Sequence, residues 1–238
     1  GDVGVLRTWR AMCPELQDRW PEAAQPEDWE GVTIENGRVV KLVLEEFGLT
    51  GAVPAEIGRM NALRQLSLAY NELTSMPAEI GQLTSLTVLD LDRNELTSLP
   101  AEIGQLTSLR VLDLRENQLT SLPAEIGQLT TLRELYLGGN ELTGLPAEIG
   151  QLTSLTELYL RYNKLTSVPA VIWQLTSLKV LRLGNNRLTS VPAEIGQLTS
   201  LLGLHLEGNE LTSLPAAIRE LRTAGCYVQL DAGVTFDE

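Results

Sequence analysis

The stretch "LTVLDLDRNELTSLPAEIGQLTS", residues 86–108, runs without a break into "LRVLDLRENQLTSLPAEIGQLTT", residues 109–131. A unit that cannot bury its own apolar face must bury it against the next copy, so self-similarity at a fixed period outranks any local secondary-structure signal. Seven 23-residue units begin at Leu63, Leu86, Leu109, Leu132, Leu155, Leu178 and Leu201. An eighth begins at Val39 and carries one extra residue in "GLTGAVP".

Within each unit the L-x-L segment, such as Leu112-Asp113-Leu114, alternates with period two and predicts a short strand with its leucines inward. Copies stacked side by side make a parallel sheet, and the remaining Leu, Ile and Val positions fill the layer behind it. An asparagine recurs after every strand from Asn71 to Asn209. An amide both donates and accepts, so an inward stack of them satisfies backbone groups that the bend removes from the sheet ladder. A proline recurs from Pro77 to Pro215, where its fixed φ and missing N–H suit a return arm outside the sheet. The following "AEIG" predicts a 3₁₀ or helical turn with Ile inward. Strands set the inner spacing at about 4.8 Å while the turns need more room, so the stack curves. The expected fold is an α/β solenoid, a horseshoe with a parallel concave β-sheet and short 3₁₀ or helical turns on the convex side.

This pattern resembles the leucine-rich repeat family from about Val39 to Thr223. The "LTSLPAEIGQLTSL" version is similar to the 23-residue class of intracellular proteins, including plant Ras-group, SHOC-like and ROCO proteins. From Trp29 to Pro54 the chain also resembles the N-terminal cap of plant-type extracellular repeats, with Ile34 in place of a cysteine and Phe47 where the asparagine ladder would begin. The resemblance implies recognition of a protein or peptide on the concave face, and no chemistry of its own.

Three domains are expected: a helical cap and hairpin-like lead-in over 1–38, eight repeats over 39–223, and a C-terminal cap over 224–238. Leu6, Trp9, Cys13, Leu16 and Trp20 fall on one helical face interrupted by Pro14, and Trp9, Trp20 and Trp29 are expected over the first repeat. "ENGR" reads as a tight turn. Cys226, Val228 and Leu230 alternate as a last edge strand, with Asp231, Asp237 and Glu238 discouraging edge-to-edge pairing.

The net charge of −13 argues against a nucleic-acid partner or an anionic membrane. No apolar run is long enough to cross a bilayer, and no membrane insertion is expected. Cys13 and Cys226 sit near opposite ends, too far apart along a linear stack to pair, which fits a reducing compartment. The expected location is cytoplasmic and the expected state a monomer. His205 is the only histidine, there is no phosphate-cradling G-x-x-x-x-G-K-[ST] loop, and no Cys/His spacing suits a metal. No catalytic residue, metal site or cofactor is expected.

Binding identity must lie in the outward strand positions, because the return arm barely varies. One outward column runs Val43, Ser67, Asp90, Asp113, Tyr136, Tyr159, Arg182, His205. Its neighbours supply Arg161 and Tyr162. Tyr136, Tyr159, Arg161, Tyr162 and Arg182, with His205 beyond them, form the candidate contact centre, since Tyr and Arg give large, fairly rigid contacts with polar ends. Gly138, Gly139 and Gly184 are expected to leave the sheet open beside it, and Asp90 and Asp113 to steer a basic segment of the partner. Val171 and Trp173 break the return-arm formula where neighbouring coils have Glu and Gly, and mark either a second contact surface or local packing of Trp173 against adjacent loops. The leading expectation is a non-enzymatic interaction module, a recognition segment of a larger scaffold or signalling protein. The alternatives are a self-assembling structural repeat and an immune-type receptor's ligand-binding domain.

Overall fold

The computed structural model describes residues 1–237; Glu238, assigned above to the charged tail, lies outside them. Ten strands form one curved sheet. Its first pair, Val32–Glu35 and Arg38–Val43, is antiparallel, and eight parallel three-residue strands follow in chain order from Gln65–Ser67 to Tyr227–Gln229. The "ENGR" turn is a hairpin in which Asn36 and Gly37 both take positive φ, 51° and 75°, as a two-residue turn of matching twist requires. Register never slips between the parallel strands. Leu66, Leu89, Leu112, Leu135, Leu158, Leu181 and Leu204 stand opposite one another, and each is fully buried. Burying each leucine contributes roughly 1.5–3 kcal/mol, and a one-residue slip would turn the whole row to solvent.

The asparagines bind the coils to one another. Asn117 Oδ1 accepts the N–H of Leu96 in the previous coil at 3.0 Å, while its Nδ2 donates to Leu91 O at 2.9 Å and to Leu114 O at 3.2 Å. The same set recurs at Asn94, Asn140, Asn163 and Asn186. Just before each asparagine the chain takes a left-handed residue, and five of these are Tyr70, Arg93, Glu116, Tyr162 and Asn185, with φ between 51° and 57°. Bulky residues rarely adopt this conformation, so the amide bonds and buried leucines around them must hold it in place.

On the convex side each "AEIGQ" forms one 3₁₀ turn behind its proline, with Ile103 N–H bonded to Pro100 O at 3.0 Å and Leu106 N–H to Ile103 O at 3.2 Å. Turn packs on turn so closely that a Cβ at Gly104 would lie 2.5 Å from Glu125 O. The coil holding Val171 and Trp173 departs from this. Trp173, for which sequence left a second contact surface and local packing open, is only 3% exposed and belongs to the core, and half-buried Val171 presses its side chain over Gly150. Burial of the indole fits local packing rather than a contact surface at Trp173.

At the N-terminus, helices α1 (Asp2–Met12) and α2 (Pro14–Arg19) cover the first coil. Trp20 and Trp29 stack with centroids 5.0 Å apart, and their indole N–H groups donate to Glu30 O and Pro21 O. Buried Asp2 accepts from Arg38 Nε at 2.9 Å and Val39 N at 3.0 Å, which ties α1 to the hairpin. Phe47 takes the first ladder position, and its backbone N–H reaches Asn71 Oδ1 at 3.1 Å. At the other end the 3₁₀ turn is replaced by an α-helix, Ala217–Thr223, after which buried Cys226 and Val228 lead the last strand in.

Asn117→Ala should lower the unfolding free energy by about 2–4 kcal/mol, because it strands one buried N–H and several carbonyls at once. The same change at half-buried Asn209 should cost less. Denaturant midpoints for the two variants check the order.

Candidate functional site

The strand register places Val43, Ser67, Asp90, Asp113, Tyr136, Tyr159, Arg182 and His205 in one column across the concave face. The side chains in it are linked. Asp113 and Arg115 form a two-pronged pair, with Nη2 to Oδ2 at 2.6 Å and Nε to Oδ1 at 3.0 Å. The Arg115 guanidinium lies 5.1 Å from the Tyr136 ring centre, Tyr136 meets Tyr159 edge-on at 4.7 Å, and Arg182 lies 4.4 Å from Tyr159. Tyr136 Oη donates to Glu157 Oε2 at 2.8 Å. The phenol is thereby held far above its usual pKa, first by burial and then by that bond. Burial likewise pushes Tyr159 up. These tyrosines are neutral hydrogen-bonding groups at any physiological pH.

Beside this ridge lies an open pocket of about 190 Å³, bounded by Arg115, Tyr159, Arg161, Tyr162 and Arg182 over Gly138. Tyr162 is 58% exposed and lies under Arg161 at 5.4 Å. Two of the three glycines expected to keep the sheet open are in fact covered. Glu116 Oε1 lies across Gly139 where a Cβ would stand, and Glu207 Oε1 lies across Gly184 in the same way, 2.6 Å from that position. Each glycine gives up its side-chain space to a carboxylate from an adjacent coil.

Glu207 approaches Arg161 Nη2 at 3.6 Å across the intervening coil. Both Glu207 oxygens, and the Nε atoms of Arg161 and Arg182, are buried without a hydrogen-bond partner among the described residues. Arg182 makes no ion pair among them either. His205 stands next to Arg182 at the end of the column, its Nδ1 3.1 Å from Gln229 Oε1 and its ring 5.8 Å from Tyr227.

The acidic end behaves differently from a steering patch. Asp113 is 5% exposed and its charge is met by Arg115. Asp90 is pushed up to about 6, chiefly by burial and with Asp113 and Asp92 adding to it. Asp92 is also raised, mainly by burial. Asp113 thus carries a charge that Arg115 meets, whereas Asp90 and Asp92 take up theirs at a higher pH than ordinary carboxylates. Glu157 was absent from the candidate set, although period-two alternation puts it on the same face as Tyr159. Arg115 is outward by the same alternation as Asp113, and its contacts with Asp113 and Tyr136 make it part of the site. The fold of Glu207 over Gly184 leaves no trace in one repeat read alone. Among the described residues there is no cluster of His, Cys, Asp and Glu suited to a metal, and no helix is long and apolar enough to cross a membrane.

Family models described as "Leucine-rich repeat region" match residues 37–136 and 101–186, and one described as "Leucine Rich repeats (2 copies)" matches 176–219. A Leptospira interrogans LRR protein is 40% identical with TM-score 0.73, over 81% of this chain and 54% of its own. The Arabidopsis receptor kinase HAESA, solved with the peptide hormone IDA and the co-receptor SERK1, is 30% identical with TM-score 0.82, over 99% of this chain and 42% of its own. A plant ice-binding protein is 25% identical with TM-score 0.75, over 100% of this chain and 77% of its own. The chain thus spans about half or less of the length of the first two. These likenesses correct the intracellular kinship and the cytoplasmic location expected from sequence, since plant receptor-kinase ectodomains recur among the matching structures. The turn consensus that prompted that reading governs only how coils pack. The plant-type cap between Trp29 and Pro54 pointed the other way. Of the functions considered, a receptor-type ligand-binding domain fits these structures better than a cytoplasmic scaffold.

An acid whose folded pKa is raised destabilises the fold once it ionises, so its burden is felt above the folded value and relieved as pH falls toward the unfolded value near 3.8. Asp90→Asn keeps the acceptor for Asp92 N–H and removes the charge. It should raise stability above pH 6 by about 1 kcal/mol, screening by solvent having reduced the full linkage value, and should have little effect at pH 4.5. Thermal unfolding at pH 7.5 and 4.5 distinguishes the two.

Proposed function

This chain belongs to the leucine-rich repeat family, and from that premise we propose that its concave face binds an extended peptide or protein segment, in the manner of a receptor's ligand-binding domain. The observation that carries the reading is the hydrogen-bonding capacity left over at Arg161, Arg182 and Glu207, beside a pocket walled by Tyr159 and Tyr162. A polar atom leaves water at a cost that only a partner offsets, and half-buried arginine flanked by aromatic faces is the composition of binding centres. Arg182, stacked and with no carboxylate of its own, meets an acidic or amide group of the ligand, while Tyr159 and Tyr162 pack its apolar parts. Two features support a preformed site: the Asp113–Arg115–Tyr136–Tyr159–Arg182 chain holds its members in place, which lowers the entropy lost on binding, and the similar receptor kinase is described in complex with a peptide hormone.

A second reading, binding of ice, is favoured by one specific observation. Every repeat from Thr74 to Thr212 exposes a threonine at the same position, and a similar structure that covers the whole of this chain is a plant ice-binding protein. It uses a different face from the peptide reading, so the two do not compete.

Peptides selected from a displayed library on the wild-type protein provide the test. Arg182→Ala and Tyr159→Ala should each weaken the selected peptide by about 10–100-fold, roughly 1.4–2.7 kcal/mol, and Arg182→Lys should not restore binding because the flat stacked fork is lost. Unchanged affinity in folded variants, measured by calorimetry, would remove the concave pocket from the function.

A further inference from the structure

The threonine that opens each return arm is exposed in all seven coils from Thr74 to Thr212, and a serine follows it in every coil but one, where Gly144 stands. Two outward residues on come a proline and an exposed alanine, with the intervening apolar residue turned inward. These columns themselves carry no charged side chain, and they are bordered by the exposed Glu72, Glu95, Lys164 and Arg187 two residues before their threonines.

The strip is also rigid. The leucine just before each threonine is tied to the next coil at both ends of its backbone. Leu96 N–H bonds to Asn117 Oδ1 at 3.0 Å and Leu96 O accepts from Gln118 N at 2.8 Å; Leu119 does the same with Asn140 at 3.0 Å and Glu141 at 2.9 Å. Strand pairing in this arm at either end, Thr50–Ala52 with Glu72–Ser75 and Ser213–Leu214 with Thr235–Phe236, fixes the same spacing. Neighbouring threonines are therefore about 4.8 Å apart, the interstrand distance. Their hydroxyls are unspent: no side-chain hydrogen bond within the described residues involves them. Thr87, Thr131 and Thr156, near the start of the strands, give theirs to backbone carbonyls.

A hydroxyl donates one hydrogen bond and accepts two, and its methyl neighbour confines water to one side. A row of such pairs at a fixed interval close to the repeat of oxygens in ice holds its waters near lattice positions, so joining a crystal requires less reordering. Within these columns an ionic mineral or a polyanion would find no charge to grip. Resting on the second reading above, we infer that the strip from Thr74 to Thr189 is an ice-binding face, with the Thr235–Phe236 segment covering its C-terminal end.

Partition of the purified protein into a slowly growing ice front tests this, alongside Thr120→Lys, Thr143→Lys and, on the opposite flank, Thr130→Lys. All three positions are exposed, and unchanged thermal unfolding reports an intact fold. Wild type and Thr130→Lys should enter the ice, while Thr120→Lys and Thr143→Lys should be excluded like a non-binding globular control. Exclusion of the wild type would sink the ice reading itself. Entry of the wild type together with both strip variants would leave that reading standing and overturn this face, as would equal loss in Thr130→Lys.

Discussion

The buried asparagine ladder is the constraint on which the rest of this molecule depends. Each amide closes one backbone N–H of the preceding coil and two or three carbonyls, in a place where the chain leaves the sheet and water cannot follow. A three-residue strand pairs too little backbone to set its own register. The amide fixes it from one side and the buried leucines from the other, and the left-handed residue before each asparagine is the conformational cost of aiming the amide inward.

That regularity gives the protein two faces of opposite character. On the concave side the columns vary, and their side chains reach across coils: Arg115 to Tyr136, Glu207 to Arg161, Tyr136 to Glu157. Charge is concentrated and partly unsatisfied there, as suits recognition of one partner. On the flank the columns hardly vary, and the ladder's spacing is passed directly to an uncharged row of hydroxyls. Identity is written where the repeat changes, and periodicity is presented where it does not.

The ends show what an open stack requires. The cap at the N-terminus stacks Trp20 on Trp29, lays Arg19 over Phe47 at 4.6 Å and buries Asp2 as an acceptor for the hairpin. At the C-terminus Arg219 stands over Phe236 at 4.5 Å, and Asp231 accepts from Gly208 N–H at 2.8 Å. Both ends use cations on aromatic rings and a carboxylate on a backbone N–H where the next coil would otherwise have supplied the contact.

The sequence by itself determined the coil: the inward leucines, the asparagine ladder, the turn after each proline, the hairpin at Asn36-Gly37 and the membership of every outward column. All of these follow from a period that local chemistry imposes and repetition makes unmistakable. Only the tertiary structure decided which side chains meet. Asp113 meets Arg115, which is close enough to offset its charge, Gly139 and Gly184 proved to be beds for Glu116 and Glu207, and Trp173 is buried where neighbouring coils have a glycine. A side chain's reach between coils depends on rotamer, curvature and neighbouring volume, none of which has a period. Compartment was illegible for a related reason, since the consensus that packs one coil on the next does so equally well on either side of a membrane.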